Sequence, residues 1–186
     1  MREVSRYHPL LVSLHWTLAV LIIAALTLGV TLAAMADTAA EKIGLLALHM
    51  AGGALILVLM VIRFVVRIWT ARPAAATTGH PRLDRIAPLT HYGFYVLILL
   101  MVGTGFATAI LSGLNLIVFG ASGAPLPPTL MIYPTFKAHV FFAALLAGFI
   151  LLHVLAAIYH QFIRKDGLFG RMWFGRRASD LSMSAE

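Results

Sequence analysis

The chain has 186 residues, of which 61% are hydrophobic and only 11% are charged, a balance far from that of a soluble domain. Its net charge is +7, yet the basic residues sit at the ends of apolar segments, which argues against nucleic acid as a partner. The lack of cysteine excludes disulfides, thiolate catalysis, iron–sulfur clusters and covalently attached c-type heme.

Four apolar segments are long enough to cross the ~30 Å hydrocarbon core of a membrane at a rise of about 1.5 Å per residue. These four spans cover roughly residues 9–34, 43–69, 86–111 and 135–163. The first span is too long for a cleaved signal peptide, and no small-residue cleavage pattern follows promptly, so we expect it to be retained. The sequence therefore predicts an all-α integral membrane protein whose residues 1–186 form a single four-helix bundle.

The connections between the spans differ in character. The middle one, ARPAAATTGHPRLDR, is rich in Pro, Ala and Thr and is predicted to be flexible. The connection over residues 112–134 contains the apolar run LNLIVFG, which favours a partly helical lid on the membrane surface. The polar tail over residues 174–186 is expected to be mobile.

The basic residues predict the orientation. Only Lys42 and Lys137 lie on one side of the membrane in this arrangement. Because cytoplasmic loops carry the excess of Lys and Arg, we expect both termini and the middle connection to be cytoplasmic. The other side carries twelve basic residues: Arg2, Arg6, Arg63, Arg67, Arg72, Arg82, Arg85, Arg164, Lys165, Arg171, Arg176 and Arg177.

Histidines recur in or at the ends of the spans, where ionisable side chains are costly and usually functional. His139 and His153 are fourteen residues apart on the fourth span, which gives a rise of about 21 Å and a rotation within about 40° of whole turns. They therefore point to nearly the same side at opposite depths. The topology places His15 at the depth of His153 and His49 at the depth of His139. The complete set is His15, His49, His91, His139, His153 and His160.

Each of these two pairs offers two imidazoles without a cysteine or a carboxylate. Zinc normally recruits four ligands and hard cations prefer oxygen, whereas heme b needs two axial ligands and apolar surroundings. We therefore predict that the bundle encloses two b hemes, with His15 and His153 on one heme iron and His49 and His139 on the other. Several glycines inside the spans would let a porphyrin approach the backbone, although glycines are also common at helix contacts: Gly52, Gly53, Gly103, Gly105 and Gly148.

The roles of two further histidines, His91 and His160, remain open between ligation and other functions. His91 lacks a partner in this scheme, so packing or a contact with a heme propionate is expected ahead of ligation. His160 competes with His153, because both lie on the fourth span. However, His160 lies about 10 Å nearer the cytoplasm, beside Arg164 and Lys165 at the level of the lipid headgroups.

Motifs in all four spans carry a family resemblance: SLHW from Ser13, HMAGGALILVLMVIRFVVR from His49, HYGFYVLILLMVGTG from His91, and KAH with LHVLAAIYH, which ends at His160. Together they resemble the bacterial cytochrome b561 family of four-helix diheme proteins, over about residues 6–173. The matching histidines of that family ligate two b hemes, so the resemblance implies the same two pairs. It is strongest to the member that oxidises superoxide and reduces ubiquinone, which implies an inner-membrane location with lipid, superoxide and ubiquinone as partners.

The resemblance also suggests roles near the two faces. On the outer face, Lys137 would attract the superoxide anion or a propionate, or else be an interfacial lysine. On the cytoplasmic side, His160 and Ser13 would hydrogen-bond the ubiquinone oxygens, with His160 exchanging the accompanying proton. Arg63 and Arg67 would bind heme propionates or lipid phosphates.

Two rival functions remain at this point. The chain is alternatively a cytochrome b subunit that takes electrons from a dehydrogenase, a hydrogenase or a periplasmic cytochrome, which predicts a stable protein partner. A metal or proton transporter would instead need a polar pathway, and no span contains an Asp or Glu to support one.

Overall fold

The computed structural model describes residues 4–38, 41–73, 81–120 and 122–175, without the side chains of residues 81–88. The predictions for Arg2, Arg176, Arg177 and the tail beyond residue 175 lie outside the described residues, as do residues 74–80 of the middle connection. The same holds for the side chains of Arg82 and Arg85.

The prediction of an all-α fold with four membrane spans is confirmed. Four helices are long and apolar enough to cross a membrane, and no strand occurs in the described parts of the chain. The helices are α1 (Pro9–Ala34), α2 (Lys42–Trp69), α3 (Pro81–Leu111), the short α4 (Leu114–Phe119), α5 (Pro134–Ile158) and the short α6 (Leu168–Arg171); a π-helical turn, Tyr159–Arg164, continues α5.

The helix boundaries follow from local chemistry. α1 and α5 each begin with a proline, which fits the first helical turn because its missing N–H would have no partner there. The His8 side chain caps α1 by accepting a hydrogen bond from the backbone N–H of Leu10. α3 begins at Pro81, five residues before the predicted start. The apolar run within the connection over residues 112–134 forms α4.

Several threonine hydroxyls inside the spans bond to the backbone of their own helix. The Thr104 and Thr108 hydroxyls donate to backbone carbonyls one turn earlier, and the hydroxyls of Thr108 and Thr135 also lie 2.9 Å apart, across α3 and α5. Such bonds matter in a bilayer because lipid offers no partner to a polar group. The spans expose many large apolar side chains, as a lipid-facing surface requires.

The bundle is built from two closely packed pairs. α1 packs on α2, and α3 packs on α5, while α2 and α3 join the pairs. Among the described residues, the backbone of α5 makes few or no close contacts with α1 or α2. Side chains bridge that separation instead. At mid-depth they form an apolar core in which Ile56, Ile98 and Leu146 are fully buried.

Both terminal segments meet at one end of the bundle, here called the termini end. The Tyr7 N–H donates to the Arg171 carbonyl at 3.1 Å, the Arg6 guanidinium to Gly170 O at 2.9 Å, and the Trp16 indole to Met172 O at 3.0 Å. The region after the π-helical turn is thus hydrogen-bonded to the start of the chain. The opposite end carries the α1–α2 connection and α4.

Candidate functional site

Two imidazoles face each other at the opposite end of the bundle. The ring centres of His49 on α2 and His139 on α5 are 6.1 Å apart, with an interplanar angle of 82°. A metal–imidazole bond is about 2.0–2.1 Å, and a ring nitrogen lies about 1.2 Å from the ring centre, given ring bonds close to about 1.33 Å. Two axial imidazoles therefore have centres about 6.4 Å apart, so the observed pair suits one metal between them.

The orientation of His139 is fixed by a backbone carbonyl. Its Nδ1 lies 2.8 Å from the carbonyl oxygen of Met101 on α3. A carbonyl only accepts, so Nδ1 must carry the hydrogen, and the Nε2 lone pair is left for a metal. Carbonyl support of this kind is typical of metal-ligating histidines.

Gly105 makes this contact possible. A Cβ at position 105 would lie 3.0 Å from both Cε1 and Nδ1 of His139. Gly105 is one helical turn after Met101, so its bare backbone opens the path to the Met101 carbonyl. The other span glycines singled out in the sequence, Gly52, Gly53, Gly103 and Gly148, have no atom within 4 Å of such a Cβ.

His49 also rests against a glycine. A Cβ at Gly29 of α1 would lie 3.4 Å from His49 Cε1. The Nδ1 atom of His49 is buried, and the backbone of Ala25 on α1 lies close enough to hydrogen-bond the His49 ring. Backbone support of this kind is typical of metal-ligating histidines. The residues at this end therefore fit an axially ligated heme.

The termini end holds a second group of imidazoles. The ring centres of His15 on α1 and His153 on α5 are 6.3 Å apart, which again matches one metal between two axial ligands. His91 on α3 is 6.2 Å from the same His153 ring, and Phe94 packs against it at 5.4 Å. The sequence analysis expected packing or a propionate contact for His91 ahead of ligation. The contact with the His153 ring agrees with the packing alternative, because α3 packs closely on α5 and brings His91 beside His153.

A multi-ligand metal centre does not form from these groups. Within the described residues, no three or more His, Asp or Glu side chains converge as a metal site. His15 and His91 lie at nearly the same distance from the His153 ring, so the choice of His15 as the second ligand rests on the pairing by depth in the sequence. This arrangement favours two-ligand axial binding over a zinc site, which normally has four ligands.

The two histidine sites are separated by apolar packing. Leu146, at 0% exposure, lies midway along α5 between His139 and His153. With Ile56 and Ile98 it belongs to the core that fills the middle of the bundle. The two sites thus lie at different depths in a medium that excludes water.

Arg63 lies close to the histidines of the termini end. Its Nη1 donates to Leu11 O at 2.6 Å, one turn before His15, and the guanidinium acts electrostatically on both His15 and His153. Arg67 follows one turn later on α2 and is half-buried. Since a guanidinium has five N–H donors, Arg63 keeps donors beyond the one that Leu11 accepts.

The two lysines at the opposite end differ. Lys42 is almost buried, and its Nζ is held by Asp37 Oδ1 at 2.7 Å and by Met35 O at 2.8 Å. Lys137 is exposed, two residues before His139, and makes no ion pair with the described residues. Lys137 is therefore the cation that an approaching anion would meet near the His49–His139 pair.

The predicted quinone-contacting residues also lie at the termini end. Ser13 is exposed on α1. His160 lies on the π-helical turn, with its Nδ1 2.6 Å from Asp166 Oδ2, a partner that the sequence reasoning missed. The sequence signal for the chain reversal that brings Asp166 back was Gly167, because glycine readily adopts left-handed backbone conformations.

Comparison with known proteins gives two findings. The profile of the family described as prokaryotic cytochrome b561 matches residues 6–175. The probable superoxide oxidase CybB of Yersinia pestis is 26% identical over 174 residues, which cover 90% of this chain and 96% of that protein.

Proposed function

The chain belongs to the prokaryotic cytochrome b561 family, whose members bind heme b and transfer electrons across the membrane, and on that premise we propose that it is a superoxide:ubiquinone oxidoreductase. The observation that carries this proposal is the pair of facing imidazoles at each end of the bundle, with ring centres 6.1 and 6.3 Å apart. The name of the Yersinia relative supports the choice of superoxide.

Four histidines hold two hemes in this proposal. His49 and His139 bind one at the opposite end, and His15 and His153 bind the other at the termini end. When bound, the two hemes supply reversible one-electron chemistry at two depths of the membrane. With one histidine on each side of the iron, each site would suit electron transfer rather than oxygen binding.

The basic residues support an orientation. The termini end carries twelve of the fourteen lysines and arginines by the predicted topology, so we assign it to the cytoplasm. The opposite end then faces the periplasm of a bacterial inner membrane, where Lys137 is exposed beside His139. Its charge attracts the superoxide anion, whereas the charge of Lys42 is offset by Asp37.

The reaction needs a two-electron acceptor at the cytoplasmic end. Two superoxide anions each lose one electron and leave as O2, and one ubiquinone gains both electrons and two protons to become ubiquinol. His160 and Ser13 hydrogen-bond the quinone oxygens, and His160 supplies one of the protons. Arg63 and Arg67 bind heme propionates on the same side.

Stopped-flow absorbance of the purified, heme-loaded protein tests the proposal. A superoxide pulse should reduce the heme bands at close to the diffusion limit, about 10⁸–10⁹ M⁻¹s⁻¹, and ubiquinone-1 added afterwards should reoxidise them. Slow or absent reduction by superoxide, with intact b-type bands, would refute the proposed donor. It would favour a cytochrome b subunit that accepts electrons from a protein partner.

A further inference from the structure

The π-helical turn after α5 ends in a sharp reversal of the chain. Lys165 and Gly167 both have left-handed backbone conformations, with φ of 54° and 72°. A left-handed lysine is unusual, whereas glycine adopts this region freely. The reversal returns Asp166 to the turn that it has just left, where its Oδ2 lies 2.6 Å from His160 Nδ1.

Asp166 is itself held in place. Its Oδ1 accepts a hydrogen bond from the Leu168 N–H at 3.2 Å, and Arg164 Nε lies 3.6 Å from Oδ2. The side chains of His160 and Asp166 are 19% and 26% exposed. His160 is half-buried and Asp166 lies on an exposed turn, where the hydrogen bond from Leu168 N–H holds the carboxylate toward the imidazole.

The carboxylate determines which imidazole nitrogen carries the hydrogen. Burial alone would raise the pKa of Asp166, but the hydrogen bonds from His160 and Leu168, with the charges of His160 and Arg164, lower it below its usual value. Asp166 is thus an acceptor only, so His160 Nδ1 must be the donor. The nitrogen that gains and loses a proton is then Nε2.

We infer that Asp166 is a positioning residue, which holds His160 so that its Nε2 delivers a proton to the quinone at the termini end. The inference rests on the proposed function. His160 Nε2–H transfers its proton to a ubiquinone oxygen as the quinone takes up electrons, and Nε2 is then reprotonated from the cytoplasm. Asp166 stays deprotonated throughout and stabilises the imidazolium form.

Asp166→Asn removes the charge and nearly conserves the shape, while Asp166→Glu keeps the charge. Asp37→Asn is a matched control, because Asp37 makes an ion pair of similar length, 2.7 Å, at the other end of the bundle. Each variant is studied as the heme-loaded protein in nanodiscs. Nitrogen-15 NMR of histidine-labelled protein, assigned with His160→Gln, reports which ring nitrogen of His160 is protonated.

The kinetic measurement separates the two half-reactions. Reduction by superoxide should be unchanged in Asp166→Asn, while the maximal rate of reoxidation by ubiquinone-1 should fall about tenfold with an unchanged half-saturating concentration. Asp166→Glu should restore most of that rate, and Asp37→Asn should keep the native rate of reoxidation by ubiquinone-1, because Asp37 lies at the other end of the bundle. The NMR spectrum should show Nδ1–H in the native protein and a mixture of tautomers in Asp166→Asn.

Three outcomes would overturn the inference. The first is native reoxidation by Asp166→Asn with its Nδ1–H retained. The second is a rate loss matched by a rise in the half-saturating concentration, which would make Asp166 a quinone-binding residue. The third is a native protein that ubiquinone-1 does not reoxidise, a result that would refute the proposed function together with the inference. If the native protein is reoxidised and Asp166→Asn is reoxidised at the same rate, only the inference about Asp166 is refuted.

Discussion

Replacing Gly105 by alanine should weaken heme binding at the His49–His139 pair. The new Cβ would lie 3.0 Å from two atoms of the His139 ring, and ordinary contacts between such atoms are about 3.5–4.0 Å. The ring must therefore move by several tenths of an ångström. That movement lengthens the 2.8 Å hydrogen bond from His139 Nδ1 to Met101 O.

The size of the effect follows from the lost support. A typical intramolecular hydrogen bond contributes about 0.5–1.5 kcal/mol, and removal of a supporting hydrogen bond from a metal-ligating histidine typically reduces metal affinity about 10–100-fold. Alanine itself favours a helix over glycine by about 1 kcal/mol. The substitution should therefore leave the fold intact, and any loss of heme is attributable to the displaced ring.

Heme transfer to apomyoglobin and redox titration measure this effect. The heme that the proposal assigns to His49 and His139 should leave Gly105→Ala at least about ten times faster than it leaves the native protein. Its midpoint potential should rise, because an imidazole that loses its Nδ1–H support donates less to ferric iron. Gly103→Ala is the matched control, since Gly103 is exposed on the same helix with open space around it. Equal heme release and equal potentials in the two variants would refute the steric reasoning.

Three further predictions concern charge and ligation. Arg63→Gln should lower the midpoint potential of the heme at the termini end by about 50 mV, or about 1.2 kcal/mol per electron, because a fixed positive charge near His15 is lost; an unchanged redox titration would contradict this. Lys137→Glu should slow reduction by superoxide several-fold at about 0.01 M ionic strength and hardly at all at about 1 M, where screening is strong, and equal second-order rates at low salt would reject the attraction. His153→Ala should lose the heme at the termini end and His160→Ala should keep it, as counted by pyridine hemochrome; the reverse result would show that the pairing by depth is wrong.

The sequence predicted the fold well because the signal was long and simple. Four apolar segments, each long enough to cross a bilayer as a helix, leave few alternatives to a helical bundle. α1 begins at the predicted residue 9, and α5 begins at residue 134, one residue before the predicted start. The grouping of histidines also followed from depth alone. A helix rise per residue and an alternating topology are enough to place two side chains at one level.

The details of each site depended on helix rotation and backbone geometry, which the sequence does not encode in a local pattern. His91 lies beside His153 because α3, and not only α1, faces that part of α5. The support of His139 comes from the carbonyl of Met101, and every residue has a carbonyl, so no residue type marks it. Asp166 reaches His160 through a π-helical turn and a left-handed lysine, both rare enough that a regular helix was the natural expectation.

The heme content of the native protein tests the central claim most directly. Pyridine hemochrome analysis against quantitative amino-acid analysis gives the number of b hemes per chain, and electron paramagnetic resonance of the oxidised protein gives their spin state. Two hemes per chain, both low-spin as expected for two histidine ligands, is the predicted result. One heme per chain, or a high-spin signal that marks an open axial position, would contradict the account.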